Sequence, residues 1–300
     1  MGSDRLELQV LEEHAGRTVE DLLRKELGVS GRMLQRLTRK KAFRLNGKPT
    51  WLGRRAGMGD RLSVRIQAPA KNTQPQGEGS ERIEILHDSE HLWVVYKVPG
   101  LLTHRTHDQQ PPALIDLLAQ QTGIDAHAVH RLDRPVSGAL LLAKSSWAHA
   151  RMDSFLQQRQ IHREYLAIVE GRLPESQGVI DAPIGLADGK KRRRAVVSGG
   201  EPAKTYFESA TELSAISPGH RVLRLRLDTG RTHQLRVHMA HLGCPIVGDR
   251  LYGVATEQIP RPALHAARIH FPLPDQPKEA VVVDCPIPKD MAELLETSKV

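Results

Sequence analysis

A chain of 300 residues with 39% hydrophobic content is long enough to bury a sizeable core and, at the usual domain size, to divide into two units. A formal charge of +8 and a pI near 9.6 favour a polyanionic partner, because Lys and Arg gain affinity by displacing counterions from phosphates. Two cysteines, Cys244 and Cys285, supply no disulfide framework, and no apolar run has the length of a signal peptide core or a membrane span, so the expected location is a reducing cytoplasm. Gly2 invites a lipidation reading, but the hydroxyl expected four residues on is Leu6.

Taken in order, Thr18 followed by Asp21 predicts a helix start, with Val19, Leu22, Leu23 and Leu27 as its apolar face and Gly28 as its stop. Ser30 predicts the cap of a second helix. Its Met33, Leu34 and Leu37 face inward, while Arg32, Arg36, Arg39 and Lys40 fall along one stripe. Asn46-Gly47 predicts a hairpin turn, with Arg44 and Lys48 extending the basic surface, and Leu62, Val64 and Ile66 alternate with Arg61, Ser63 and Arg65 as a half-buried strand does. No acidic residue lies between Gly31 and Gly59, so the stripe is not charge-balanced and points to contact with nucleic acid. Residues Leu6 to Ile66, centred on VEDLLRKELGVSGRMLQRLTRKKAFRLNGKPT, resemble the small RNA-binding domain named after the fourth ribosomal protein of the small subunit. That resemblance implies recognition of structured RNA by two helices on a small sheet.

Residues 67–81, rich in Pro, Gly, Gln and charge, read as a flexible linker, which makes residues 1–66 a tethered anchor for a second domain over 82–300. In that domain Ile83–Leu86 and Leu92–Tyr96 are strand-like, Ala113–Gln121 and Ala148–Gln158 have helical spacing, and Tyr165–Gly171 predicts another strand. Strands and helices mix without a βαβ rhythm, which favours an α+β sheet. Between them lies HRLDRPVSGALLLAKS, His130 to Ser145, an ionisable loop that runs directly into a buried apolar strand. Asp133 is its only carboxylate. Arg131 and Arg134 flank it and favour the ionised form, which suits a nucleophile better than a general acid. The run KKRRR, Lys190 to Arg194, is a second basic patch.

GRTHQLRVHMAHLGCPIVGDRLYG, Gly230 to Gly253, is the other chemically dense stretch. Arg231, His233, Arg236, His238 and His241 suggest metal binding, and His238, His241 and Cys244 share a helical spacing, but Arg231 and Arg236 surround these ligands with positive charge, so no metal site is expected. His104 and His107 are equally weak as ligands. Ser137 lies in PVSG and not in a nucleophile elbow, and Gly199-Gly200 lacks the lysine and hydroxyl of a phosphate loop.

Five segments in order, VVYKVPGLLTH, HRLDRPVSGALLLAKS, REYLAIVEG, GRTHQLRVHMAHLGCPIVGDRLYG and LHAARIHF, resemble the RluA family of RNA pseudouridine synthases across Ile83 to Pro288. The resemblance implies a mixed, mostly antiparallel central sheet with flanking helices and loops. It also implies cofactor-free isomerisation of uridine, with Asp133 as the catalytic aspartate, Arg131 near the flipped nucleotide, Tyr165 stacked on the target base and Arg231 paired with Asp133. Fusion to a ribosomal-protein-like domain is similar to the branch acting on large-subunit ribosomal RNA; transfer RNA is the alternative substrate, and a non-catalytic RNA-binding or ribosome-assembly role the alternative function. The chain departs from the family at Tyr96 and Val98 beside Lys97, at Arg163, and at Pro135-Val136, where the family often has Asp-Thr. Proline removes a backbone donor next to Asp133, so the loop's geometry is the expected point of difference.

Overall fold

The computed structural model of the chain describes residues 5–66, 82–105, 110–187, 193–210, 219–253 and 255–296. The expected linker at 67–81 lies outside the described residues, as do His107 and residues 190–192 of the second basic run.

The first unit comprises strand β1 (Arg5–Gln9), helices α1 (Val19–Lys25) and α2 (Gly31–Arg39), and strands β2 (Phe43–Leu45), β3 (Lys48–Pro49) and β4 (Arg61–Arg65), with sheet order β1-β4-β2-β3. Both helices begin where capping chemistry places them: Thr18 Oγ1 accepts the Asp21 N–H at 3.2 Å and Ser30 Oγ that of Met33 at 3.3 Å. Asn46 and Gly47 have φ of 53° and 77°, the two positive values of a primed turn, and pair Leu45 with Lys48. Strand β1 was not predicted. Leu6 and Leu8 alternate with Arg5, Glu7 and Gln9, a pattern too short to separate from loop, and its place is set by antiparallel pairing with β4 from Arg5↔Arg65 to Gln9↔Arg61.

The second unit runs β5 (Ile85–Asp88), β6 (Leu92–Lys97), α3 (Leu114–Thr122), β7 (His127–Ala128), β8 (Ser137–Ala143), α4 (Ser146–Gln157), β9 (His162–Glu170), β10 (Gln177–Asp181), β11 (Ile184–Leu186), β12 (Arg194–Val196), β13 (Lys204–Ser209), β14 (His220–Leu227), α5 (Gln234–His241), β15 (Leu264–Pro272), β16 (Ala280–Asp284) and α6 (Lys289–Glu296). Ten strands form one mixed sheet in the order β10-β13-β14-β9-β15-β8-β6-β5, with β16 on β15 and β7 on β8, while β11 and β12 make a separate hairpin. Most pairings are antiparallel, as the α+β reading expects; β8 with β15 is parallel. All seven residues of β8 are buried, which is why it reads as an unbroken apolar run.

The parallel contact requires Gly138. Its φ is +124°, and a Cβ there would stand 2.3 Å from the carbonyl oxygen of Ala266. One residue earlier, Ser137 Oγ lies 3.0 Å from His265 Nδ1, whose Nε2 lies 3.2 Å from the Cys285 carbonyl. The Ser-Gly pair after the aspartate loop therefore stitches β8 to β15.

The two sheets are not independent. Trp147 on α4 donates its indole N–H to the Leu27 carbonyl at 2.7 Å, the Arg151 side chain packs against Gly28, and Arg36 reaches Ser146 Oγ at 3.4 Å. Val29 and Trp147 belong to one apolar cluster that spans both units. Among the described residues no helix is long and apolar enough to cross a membrane.

Gly138→Ala should cost roughly 3 kcal/mol or more, because both the backbone angle and the contact with β15 resist a methyl group. Urea denaturation measures it; a loss below about 1 kcal/mol would mean that the β8–β15 approach is looser than described.

Candidate active site

The loop between β7 and β8 alternates inward and outward residues. His130 and Leu132 are buried, Arg131 and Arg134 are exposed, and Asp133 stands half-buried between them. His130 Nε2 accepts the Leu141 N–H at 3.3 Å, and Thr103 Oγ1 brackets Leu132, accepting its N–H at 3.4 Å and donating to its carbonyl at 3.3 Å. Beneath the loop Lys97 is fully buried and donates to the carbonyls of Val98 at 3.1 Å, Leu101 at 2.9 Å and Arg134 at 3.1 Å. Three carbonyls match the three donors of an ammonium, although desolvation pushes Lys97 down to about 7 against the pull of Asp133. The Asp133 carbonyl accepts the Val136 N–H at 3.0 Å, closing a turn in which Pro135 needs no donor. Pro135-Val136 is thus absorbed, with the Val136 side chain in the core.

Asp133, Arg131, Tyr165, Arg231, Arg236 and His233 line one cavity of about 520 Å³. Arg231 shares the cavity but does not pair with Asp133: its guanidinium is ion-paired with Glu201 and bonds the Pro202 carbonyl at 3.1 Å. The partner is Arg236, whose guanidinium lies 3.5 Å from Asp133 Oδ2. The reason is helical register. Arg231 precedes α5 at the exposed rim, whereas Arg236 is buried in the helix and held by two 2.7 Å bonds to the fully buried carboxylate of Asp249. Hydrogen bonds and charge from Asp249, with the charge of Asp133, raise the Arg236 pKa against desolvation. GRTHQLR offers two arginines, and the signal that would have separated them is that the second falls inside the helix and has a candidate partner in GDR.

Tyr165 sits in the middle of β9, 4% exposed, both packed in the core and facing the cavity, with its hydroxyl pKa pushed up by burial. Arg131 is exposed and bonds Thr232 Oγ1 at 3.0 Å. His233, which the sequence offered only among possible metal ligands, precedes α5 with φ +59°, and its Nε2 lies 3.9 Å from the same Oδ2 of Asp133. His238, considered as a metal ligand, has both ring nitrogens occupied, with Thr205 Oγ1 and the Ala182 carbonyl each at 2.9 Å.

On the first unit, Arg36, Lys40 and Arg44 line a second cavity of about 340 Å³ together with Arg5, Lys41 and Arg65. Arg39 and Lys48 are exposed outside its lining, and the side chain of Arg32 lies outside the described residues.

A carboxylate and a buried aromatic ring in a cleft rimmed by arginines are groups that an enzyme acting on an anionic substrate would carry. The comparisons narrow that class. A family model described as RNA pseudouridylate synthase matches residues 91–241. The uncharacterized RNA pseudouridine synthase YhcT of Bacillus subtilis is 34% identical, over 97% of each chain. Ribosomal large subunit pseudouridine synthase D of Nitrosomonas europaea is 35% identical over 78% of this chain and 71% of its own length. Among solved structures, human RNA pseudouridylate synthase domain containing 1 has a TM-score of 0.58 at 27% identity, covering 70% of this chain and 86% of its own. The chain belongs to the RNA pseudouridylate synthase family and is an isomerase.

Hydrogen bonding requires His130 to be neutral, because its Nε2 lone pair accepts the Leu141 N–H; His265, whose Nε2 faces the Cys285 carbonyl, keeps Nδ1 as an acceptor for the Ser137 hydroxyl when neutral. Burial pushes His130 down to about 3 and His265 to about 4, from an ordinary 6.5. Between those values the unfolded chain binds more protons, so their contribution to stability is full above about pH 6.5 and is lost as pH falls toward 4 and 3. Urea midpoints at pH 7 and pH 5 test this. The wild type should weaken on acidification, and a His265→Asn variant should be weaker at pH 7 but lose less; equal losses in both would remove His265 from the account.

Proposed function

We propose that the chain converts uridines of structured RNA to pseudouridine with Asp133 as the catalytic group, and that large-subunit ribosomal RNA is the substrate. The observation that carries this reading is the convergence of Asp133, Arg236 and Tyr165 on one cavity. The reaction breaks the bond from uracil N1 to ribose C1′, makes one from C5 to C1′, releases the proton from C5 and places one on N1. Nothing is oxidised or reduced, so no redox cofactor is required. An ionised Asp133 starts the cleavage, whether at the ribose, at the base or by taking a ribose proton; each route needs the same charged, oriented carboxylate. Arg236, 3.5 Å from its Oδ2, orients that carboxylate. Tyr165 offers a flat face to a base taken out of its stack, and Arg131 and Arg231 at the rim meet the neighbouring phosphates.

Residues 1–66 serve as the RNA-binding domain, with Arg32, Arg36, Arg39, Lys40, Arg44 and Lys48 toward the backbone. Support comes from the cationic cavity between α2 and the small sheet and from the resemblance of that segment to a ribosomal protein domain. The ribosomal choice rests on relatives named as large-subunit synthases.

Release of tritium from large-subunit ribosomal RNA transcribed with [5-³H]uridine tests the reaction. The wild type should release it and Asp133→Ala should fall at least about a thousandfold; no release from any RNA by the wild type would end the synthase reading, and an active variant would end the role of Asp133. Replacing Arg36, Arg39 and Lys40 by Ala should weaken RNA binding and lower the slope of log affinity against log salt by about 0.7 to 0.9 per lost contact. An unchanged slope would remove these residues from the interface.

A further inference from the structure

We infer that Asp249 and Tyr252 are positioning residues for this reaction, which hold one oxygen of Asp133 through Arg236 and His233 and leave the other oxygen to react. The inference rests on the reading of Asp133 given above. Both contacts to the carboxylate, from Arg236 at 3.5 Å and from His233 at 3.9 Å, fall on Oδ2. Behind Arg236 stands Asp249, fully buried and bidentate. Behind His233 stands the Tyr252 hydroxyl, 2.7 Å from Nδ1.

We assign the direction of this second chain with the Tyr252 hydroxyl as donor to His233 Nδ1. The Tyr252 oxygen accepts the Arg194 N–H at 3.0 Å, so its own proton is available for His233 Nδ1. A neutral His233 that accepts at Nδ1 carries its hydrogen on Nε2, the atom that faces Asp133. His233 therefore presents a donor to the carboxylate and has no lone pair with which to take a substrate proton. Desolvation, then Arg236 and Arg131, hold it below the ordinary imidazole value against Asp133 and Asp249, which raise it.

One buried group sets both chains. Besides gripping Arg236, Asp249 Oδ1 accepts the N–H of Leu251 at 3.0 Å and of Tyr252 at 3.3 Å, so it shapes the turn that carries Tyr252. The ring of Tyr252 also lies under Arg236, 5.1 Å from the guanidinium carbon. The left-handed backbone of His233, at φ +59°, is the strained position that brings its ring between Tyr252 and Asp133.

Tyr252→Phe keeps the ring and removes the hydroxyl. Tritium release from [5-³H]uridine ribosomal RNA should show kcat lowered about ten- to a hundredfold with KM changed less than about threefold. With Nδ1 freed, His233 takes up a proton at higher pH, so the acid limb of the kcat profile should move upward relative to wild type. Asp249→Asn, which places an amide donor against Arg236, should lower kcat at least as far; should it fail to fold, Tyr252→Phe carries the test alone. A Tyr252→Phe enzyme with wild-type kcat and a superimposable pH profile, or one that loses only KM, overturns the inference while leaving the synthase reading intact. A wild type without activity overturns the reading itself.

Discussion

The buried ion pair between Arg236 and Asp249 is the interaction on which the site depends. Two charges taken out of water are tolerated only when their geometry is good and their remaining groups are satisfied. Here the guanidinium spends two nitrogens on Asp249 and turns the third toward Asp133, while Asp249 accepts two further backbone N–H groups. The pair is worth little as net stability, since desolvation offsets most of its attraction. Its value is specificity: it fixes the direction of a positive charge at the floor of a cleft where a carboxylate stands half-exposed.

A second constraint acts from below. Lys97 ties three carbonyls into one knot, and the carbonyl of Arg134 is among them, so the loop carrying Asp133 is fastened to the turn after β6. Side chains on the loop alternate between core and cavity around that knot. The carboxylate is placed by backbone anchored at Lys97, Thr103 and Leu141, and its charge is met by side chains from α5.

Much of this was legible in the residues. Helix starts at Thr18 and Ser30, the Asn46-Gly47 turn, the buried run of β8 and the mixed character of the sheet follow from local chemistry that tertiary contacts did not override. Asp133 and Tyr165 line one cavity. What failed was the choice between Arg231 and Arg236, which are alike in type and separated by the helix boundary that buries the second. His233, read from the sequence only as a possible metal ligand, takes a place beside Asp133 that depends on a positive φ and on Tyr252, nineteen positions on, and neither is visible in a linear pattern. The docking of the first unit on α4 was also hidden. It rests on one indole, a glycine surface and an arginine stem, and a polar linker says nothing of what lies at its two ends.

The parallel join between Gly138 and Ala266 reaches across most of the second unit. A contact of such long sequence separation forms slowly, because the entropy of closing the loop is lost before any packing compensates it. On the ribosome, β8 can pair with β6 and β7 but lacks its neighbour on the other side until the segment around Ala266 has left the exit tunnel. The pairings of the first sheet all lie within residues 5–65, so they can close while the strand after the aspartate loop still lacks one neighbour. The first sheet and the strand that follows Asp133 are completed at different moments in the life of the molecule.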